Sequence, residues 1–304
     1  MPYKVLITDI ANPLGRAIEH DLEREHCKLF FPSAAELNWM DSGAVNLYIA
    51  ALKPDVVINT LGWGNCLTAE QQALLPVVAA NVAYACASLD VPLLHFSSYK
   101  VFGNDHKSSH SEKDVPAPLG AVGRAFFAAE QAIEHSSARA VILRLGWVID
   151  SHGDNIFTRL LERICAQQAI QANTRLRGAP TLLSDVARVA VAVVKQIVSG
   201  ADNWGVMHYC SGDALTEAEF GEQLVQLLAQ QQLLGQDVNF SLYDQVPADE
   251  PMSAVLGCRR IRDGFGVQVR PWRPNLLSLV KQWFHHRDGD KKMDIKTDGL
   301  IKSR

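Results

Sequence analysis

The chain has 304 residues, of which 48% are hydrophobic, 20% charged and 8% aromatic, and Lys+Arg 29 against Asp+Glu 33 leave a formal charge of −4. This composition excludes a disordered chain, a collagen-like repeat and a disulfide-stapled miniprotein, and it supplies no global basic field to draw in nucleic acid or anionic lipid. The length suits one large α/β domain, or one domain with a smaller lobe.

Apolar runs at residues 3–8, 27–31, 55–59, 92–97 and 140–145 lack polar alternation, which is the pattern of parallel strands covered on both faces. Between them, residues 15–25, 43–52, 70–89 and 121–135 carry helical composition. This alternation predicts right-handed crossovers and a doubly wound parallel sheet, that is, a Rossmann-like α/β fold. After about residue 150 the rhythm loosens. Residues 155–168 and 184–199 read as helices and 205–211 as a strand. Thr216-Glu217-Ala218-Glu219 has the capping-box form and opens a helix to about residue 232. Residues 239–246 read as a strand and 275–284 as a closing helix.

The expected division is therefore a Rossmann-like domain over residues 1–150 and a smaller α+β substrate lobe over 151–284, with some segments returning to the first domain. Residues 285–304, dense in Lys, Asp and Arg, read as a solvated, flexible tail. Cys27, Cys66, Cys86, Cys165, Cys210 and Cys258 form no Cys-x-x-Cys pair, against a zinc knuckle and a secreted disulfide framework. His285-His286 has no partner ligands, so no metal site is expected. The N-terminal apolar run is too short for a signal peptide or membrane span, and a cytoplasmic protein is the expectation.

In a doubly wound sheet the first βα turn normally holds a dinucleotide pyrophosphate. Here it reads Thr8-Asp9-Ile10-Ala11-Asn12-Pro13-Leu14-Gly15, the length of a Thr-Gly-x-x-Gly-x-x-Gly loop with only its last glycine. A carboxylate about 5 Å from a phosphate charge, at an effective dielectric of about 20, repels it by roughly 3 kcal/mol. Two readings stand: a weakened phosphate cradle, or a plain strand-to-helix turn in which Asp9 or Asn12 bonds backbone amides.

Leu94-His95-Phe96-Ser97-Ser98-Tyr99-Lys100-Val101-Phe102, Asp55-Val56-Val57-Ile58-Asn59, Ala80-Asn81-Val82 and Arg144-Leu145-Gly146-Trp147-Val148 form an ordered set of landmarks. Asn155 and Phe157, Gly178-Ala179-Pro180-Thr181, Pro251-Met252-Ser253-Ala254-Val255-Leu256 and Pro271-Trp272-Arg273 continue it. Together, over roughly residues 3 to 284, the set resembles the dTDP-4-dehydrorhamnose reductases of the extended short-chain dehydrogenase/reductase group. That resemblance implies NADP or NAD as cofactor, touched here by Gly15, Asn12, Asn59 and Ser97, and a catalytic Ser with Tyr-x-x-x-Lys. The family register puts Val122 at the tyrosine and Phe126 at the lysine, with Glu130 at a downstream glutamate, so of the catalytic group only Ser98 is left. Val122 has no proton to donate, and a positioned general acid is typically worth about 10²–10⁴-fold.

Tyr99 and Lys100 flank Ser98. Strand alternation predicts that only one of them faces the pocket, with Tyr99 the relocated acid or else packed against the lobe. Trp63, Trp147, Asn155 and Thr181 join Tyr99 as substrate-side candidates by the same resemblance, each with a structural alternative. Glu250 stands where the family commonly has Arg, against an intact site for an anionic sugar nucleotide, and Arg259, Arg260 and Arg262 read as a solvated helix face. The expected function is a catalytically degenerate reductase-like protein that binds a sugar nucleotide or another small ligand, or regulates a protein partner. Its rivals are an NAD(P)H-dependent reductase of a 4-keto-6-deoxy sugar nucleotide using Tyr99, and a dinucleotide sensor. A homodimer is compatible with either; nucleic acid and membrane are not expected partners.

Overall fold

The first half of the chain alternates as its apolar runs require. β1 (Tyr3–Ile7), α1 (Pro13–Leu22), β2 (Cys27–Phe30), α2 (Ser42–Leu52), β3 (Val56–Asn59), α3 (Ala69–Ser88), β4 (Leu93–Ser98), α4 (Ala121–Ser136) and β5 (Ala140–Leu145) follow one another. Then come β6 (Val148–Ile149), α5 (Ile156–Cys165), β7 (Ile170–Asn173), β8 (Arg177–Gly178), β9 (Thr181–Leu182) and α6 (Leu183–Val198). β10 (Gly205–Tyr209), β11 (Leu215–Thr216), α7 (Glu217–Gln230), β12 (Phe240–Tyr243), α8 (Arg259–Phe265) and α9, residues 276–287, complete the chain. This computed structural model describes residues 2–64, 67–166, 170–234 and 238–287, so Cys66 and residues 288–304 of the charged tail lie outside the described residues.

Six strands form the central sheet in the order β10-β5-β4-β3-β1-β2, every neighbouring pair parallel. The reversal of strand order falls between β1 and β3, where a doubly wound sheet opens its ligand crevice. β3 and β5 are buried at every residue, as strands covered by helices on both faces must be. α3 packs against α2 and α4, and α1 against α6. Two segments expected in the smaller lobe return to this sheet: β10 pairs with β5, and α6 lies on α1. Their βα rhythm is hidden in the sequence because four short strands and α5 intervene between β5 and α6.

A second hydrophobic core joins Phe157, Leu160 and Ile164 of α5 to Phe220, Leu224 and Leu228 of α7 and to Trp272, Leu279 and Trp283. α7 begins with the capping box that its sequence spells, Thr216 Oγ1 accepting from Glu219 N–H at 3.2 Å and Glu219 Oε2 from Thr216 N–H at 2.7 Å. β12 extends β7 in parallel. Under β4 and β5 a buried charge pair is fully bonded: Arg144 Nε donates to Glu130 Oε1 at 2.8 Å, Nη2 to Oε2 at 2.6 Å, and Ser97 Oγ to Oε1 at 2.5 Å. Two guanidinium donors on one carboxylate, with a hydroxyl beside them, meet the condition under which a buried ion pair is tolerated.

Candidate functional site

The first βα turn keeps its backbone course but spends its amides internally. Asp9 Oδ1 accepts from Ala11 N–H at 2.7 Å, and Asn12 Oδ1 accepts from Gly15 N–H at 2.8 Å as the N-cap of α1. Asn12 Nδ2 donates to Asp9 Oδ2 at 3.0 Å and to Thr60 O at 2.8 Å, which ties the turn to the residue after β3. Gly15 is required by close approach: a Cβ there would stand 1.8 Å from Asp9 O. The chain's own carboxylate and amide thus hold backbone donors of the kind a helix N-terminus offers to a phosphate.

Beneath the turn, Asn59 and Ser97 are closed into the sheet. The Thr8 hydroxyl donates to Asn59 Oδ1 at 2.9 Å, and Asn59 Nδ2 donates to His95 Nδ1 at 3.1 Å. That arrangement puts the imidazole proton on Nε2, and burial pulls the His95 pKa down to about 3. Ser97 is wholly buried on Glu130. Neither side chain is open to a ligand. Phe126, at the position the resemblance gives to a ribose-holding lysine, is fully buried in the main core, and Val122 is a partly buried residue of the same helix.

The polar groups converge elsewhere. A cavity of about 300 Å³ is lined by Ser98, Tyr99, Lys100, Trp147, Arg159 and Glu250 among others. Strand alternation misplaced one of Tyr99 and Lys100. The strand ends at Ser98, whose Oγ accepts from Lys100 N–H at 3.2 Å, and residues Tyr99–Val101 make a 3₁₀ turn that carries both side chains to the cavity. The Tyr99 hydroxyl donates to Glu250 Oε1, and Lys100 Nζ donates to Glu250 Oε2 at 2.6 Å. α4 presses against this turn so closely that a Cβ on Gly123 would stand 2.1 Å from Lys100 O. Burial, then the Glu250 carboxylate, push the Tyr99 phenol well above its ordinary value, while the Trp147 indole N–H hydrogen-bonded to it works the other way. The phenol is therefore a poor proton donor as it stands.

Arg159 and Arg163, four residues apart on α5, share the wall of the cavity with Glu217 of α7. Burial raises the Glu217 carboxyl, opposed by its hydrogen bond from Asn173 N–H and by the two guanidinium charges. Neither arginine nor Glu217 was singled out by motif; the i, i+4 spacing of the arginines on an expected helix is the signal that was there to read. Trp147 lines the cavity and Trp63 does not: its indole faces Ser97 O at 3.4 Å in the main core. Asn155 and Thr181 are corrections. Asn155 is the buried N-cap of α5, with its amide on the carbonyls of Asp150 and His152. Thr181 Oγ1 donates to Ala179 O and accepts from Ser211 N–H. Both spend their polar atoms on the scaffold.

Arg259, Arg260 and Arg262 lie on α8, exposed and engaged with Asp263 and with the carbonyls of Val206 and Trp204. Among the described residues there is no group of three or more His, Cys, Asp or Glu able to hold a metal, and no helix long and apolar enough to cross a membrane.

Residues 3–284 match the model of the RmlD substrate binding domain. The chain is 24% identical over 287 residues to a dTDP-4-dehydrorhamnose reductase of Mycolicibacterium smegmatis, covering 92% of this chain and 86% of that one. In structure it resembles the dTDP-4-dehydrorhamnose reductase of Bacillus anthracis in complex with NADP, at a TM-score of 0.78 and 20% identity over 93% of this chain and 99% of that one. The Bordetella bronchiseptica enzyme WbmG in complex with NAD and UDP gives a TM-score of 0.79 at 19% identity, covering 94% and 96%. The central parallel sheet and the landmarks spread along the chain agree with that match, and the chain belongs to the RmlD substrate binding domain family.

Proposed function

We propose that this chain binds a sugar nucleotide in the cavity at the end of β4 and has lost hydride transfer. The observation that carries the reading is the first turn, where Asp9 and Asn12 already hold the amides of Ala11 and Gly15. A dinucleotide pyrophosphate bound in the family manner meets a carboxylate there, and buried Phe126 has no ammonium for its ribose. The residues present do not fit NADP or NAD at that position, and no step is routed through either. The cavity supports the binding half of the reading: Arg159 and Arg163 favour an anionic ligand, and the faces of Trp147 and Tyr243 suit a base or sugar ring. The names of the relatives agree with a nucleotide ligand, since one is a dTDP-4-dehydrorhamnose reductase and one structural neighbour was solved with UDP.

Calorimetry against dTDP- and UDP-sugars, NADPH and NADH tests both halves. Binding of a sugar nucleotide, weakened at least about tenfold by Arg159→Ala with Arg163→Ala, is expected, together with no measurable heat from either dinucleotide. A second reading has its own observation, because Ser98, Tyr99 and Lys100 face one cavity. In that reading Tyr99 serves as proton donor of an active reductase. Oxidation of NADPH by a dTDP-4-keto-6-deoxy sugar, abolished by Tyr99→Phe, would establish it and overturn the first.

A further inference from the structure

Cys210 follows the last residue of β10, and Cys258 immediately precedes α8, 48 residues further on. Folding brings the two side chains together. Cys258 Sγ lies 3.2 Å from Cys210 N, which donates to it, and 3.6 Å from Cys210 O. Both thiols have the Leu256 carbonyl within reach, Cys210 Sγ at 3.2 Å and Cys258 Sγ at 3.4 Å. Two thiols on different elements are thus gathered around one carbonyl, with Cys258 Sγ against the Cys210 backbone. Their surroundings differ usefully. Cys258 is half-buried, whereas Cys210 is buried. The two thiols shift in opposite directions: Cys258 holds Cys210 below the usual thiol range, while Cys210 and burial push Cys258 well above it.

We propose that Cys210 and Cys258 form a modification site, at which a peroxide oxidant converts the pair into an intramolecular disulfide. One sulfur of the pair attacks a peroxide oxygen; an S–O bond forms, the O–O bond breaks, and the departing hydroxide leaves as water with the thiol proton. The other sulfur then attacks the sulfenic acid so formed; the S–S bond forms, the S–O bond breaks, and a second water carries off the remaining proton. Two thiols lose two electrons, and one hydrogen peroxide is reduced to two waters.

The position of the pair gives the bond a consequence. Cys258 ends the strap that starts with Pro247 and carries Glu250 to the cavity. That strap rests on hydrogen bonds from Met252 N–H to Asn104 Oδ1 at 2.7 Å, from Gly257 N–H to His110 O at 2.8 Å and from Leu256 N–H to Cys210 Sγ at 3.4 Å. A covalent link from Cys258 to Cys210 anchors the end of the strap to the central sheet and closes a loop that contains α7 and β12, which constrains the unfolded chain.

The test uses the full-length reduced protein exposed to hydrogen peroxide, followed by intact mass and peptide mapping without reductant. The expected result is the loss of two hydrogens, a linked peptide pair containing Cys210 and Cys258, a raised melting temperature, and reversal of all three by dithiothreitol. Cys258→Ser and Cys258→Ala, each checked for native circular dichroism, should form no such link at the same dose. Recovery of both thiols by alkylation after unfolding would overturn the proposal. So would their over-oxidation to sulfinic or sulfonic acids without a link, or pairing of either with another cysteine.

Discussion

The turn after β1 and the cavity after β4 sit at the ends of two strands of one sheet with only β3 between them, yet they differ in what their polar groups touch. At the turn, Asp9, Asn12 and Thr60 satisfy one another and the local amides. At the cavity, Tyr99 and Lys100 meet a carboxylate from a strap some 150 residues away, and two arginines from α5 join the wall. The contrast follows from where each site keeps its function. A phosphate cradle works through backbone amides, so on the proposed reading two side chains that claim those amides compete with a phosphate while the backbone path survives. A cavity works through side chains on separate elements, so it can exchange members singly and stay open.

The largest expected effect comes from the support under the cavity. Glu130→Ala leaves Arg144 buried with its charge unmatched and Ser97 without its acceptor, and removing one partner of such a pair costs about 3–5 kcal/mol. Denaturant unfolding measures it. Because Glu130 lies against β4 and β5 rather than the first turn, sugar-nucleotide binding should weaken with it. A variant that kept both stability and binding would show the cavity to be independent of this pair.

Acid separates the two regions by a smaller effect. His95 lies under the turn and His208 edge-on to Phe102 on the cavity side, and burial lowers each from 6.5 to about 3. Unfolding lets both take up a proton between those values. Their contribution is therefore complete above pH 6.5 and is lost as pH falls toward 3. Together they steepen the fall by up to about 3 kcal/mol per pH unit in that window. His95→Gln should remove half of the slope; an unchanged slope would mean that carboxylates alone carry the acid transition.

Much of the fold was legible because it rests on unbroken apolar runs such as Val56–Asn59 and Ala140–Leu145, whose burial on both faces leaves no polar alternation to confuse them. β10 and α6 were legible as elements but not as members of the main sheet, since neither carries a mark of its partner. At the site, the departures from the family pattern at positions 9, 12, 122 and 126 were readable one residue at a time. The gains were not. Glu250 meets Tyr99 only because the chain leaves β4 in a 3₁₀ turn, and nothing in a run of Ser-Ser-Tyr-Lys-Val fixes where the strand stops. Asn155 and Thr181 take the structural alternative: a position can match a family pattern because it holds the backbone together.

Asn12 gives the finest resolution of the turn, since its amide does two separable things. Its Oδ1 caps α1, and its Nδ2 pulls Asp9 and Thr60 across the cradle. Asn12→Ala removes both and should cost about 1 kcal/mol, the usual worth of an N-cap. Asn12→Ser keeps a capping oxygen and gives up the tie, so its stability should fall between Asn and Ala, within a few tenths of a kcal/mol of the parent chain. Calorimetry with NADP on the serine variant then asks what the tie alone achieves. A dinucleotide heat appearing in Asn12→Ser with Asp9→Gly, and absent in the parent, would show that the cradle is intact beneath its own side chains. If no heat appears in either, the obstruction extends to the buried end of the ribose site, where Phe126 stands in the core.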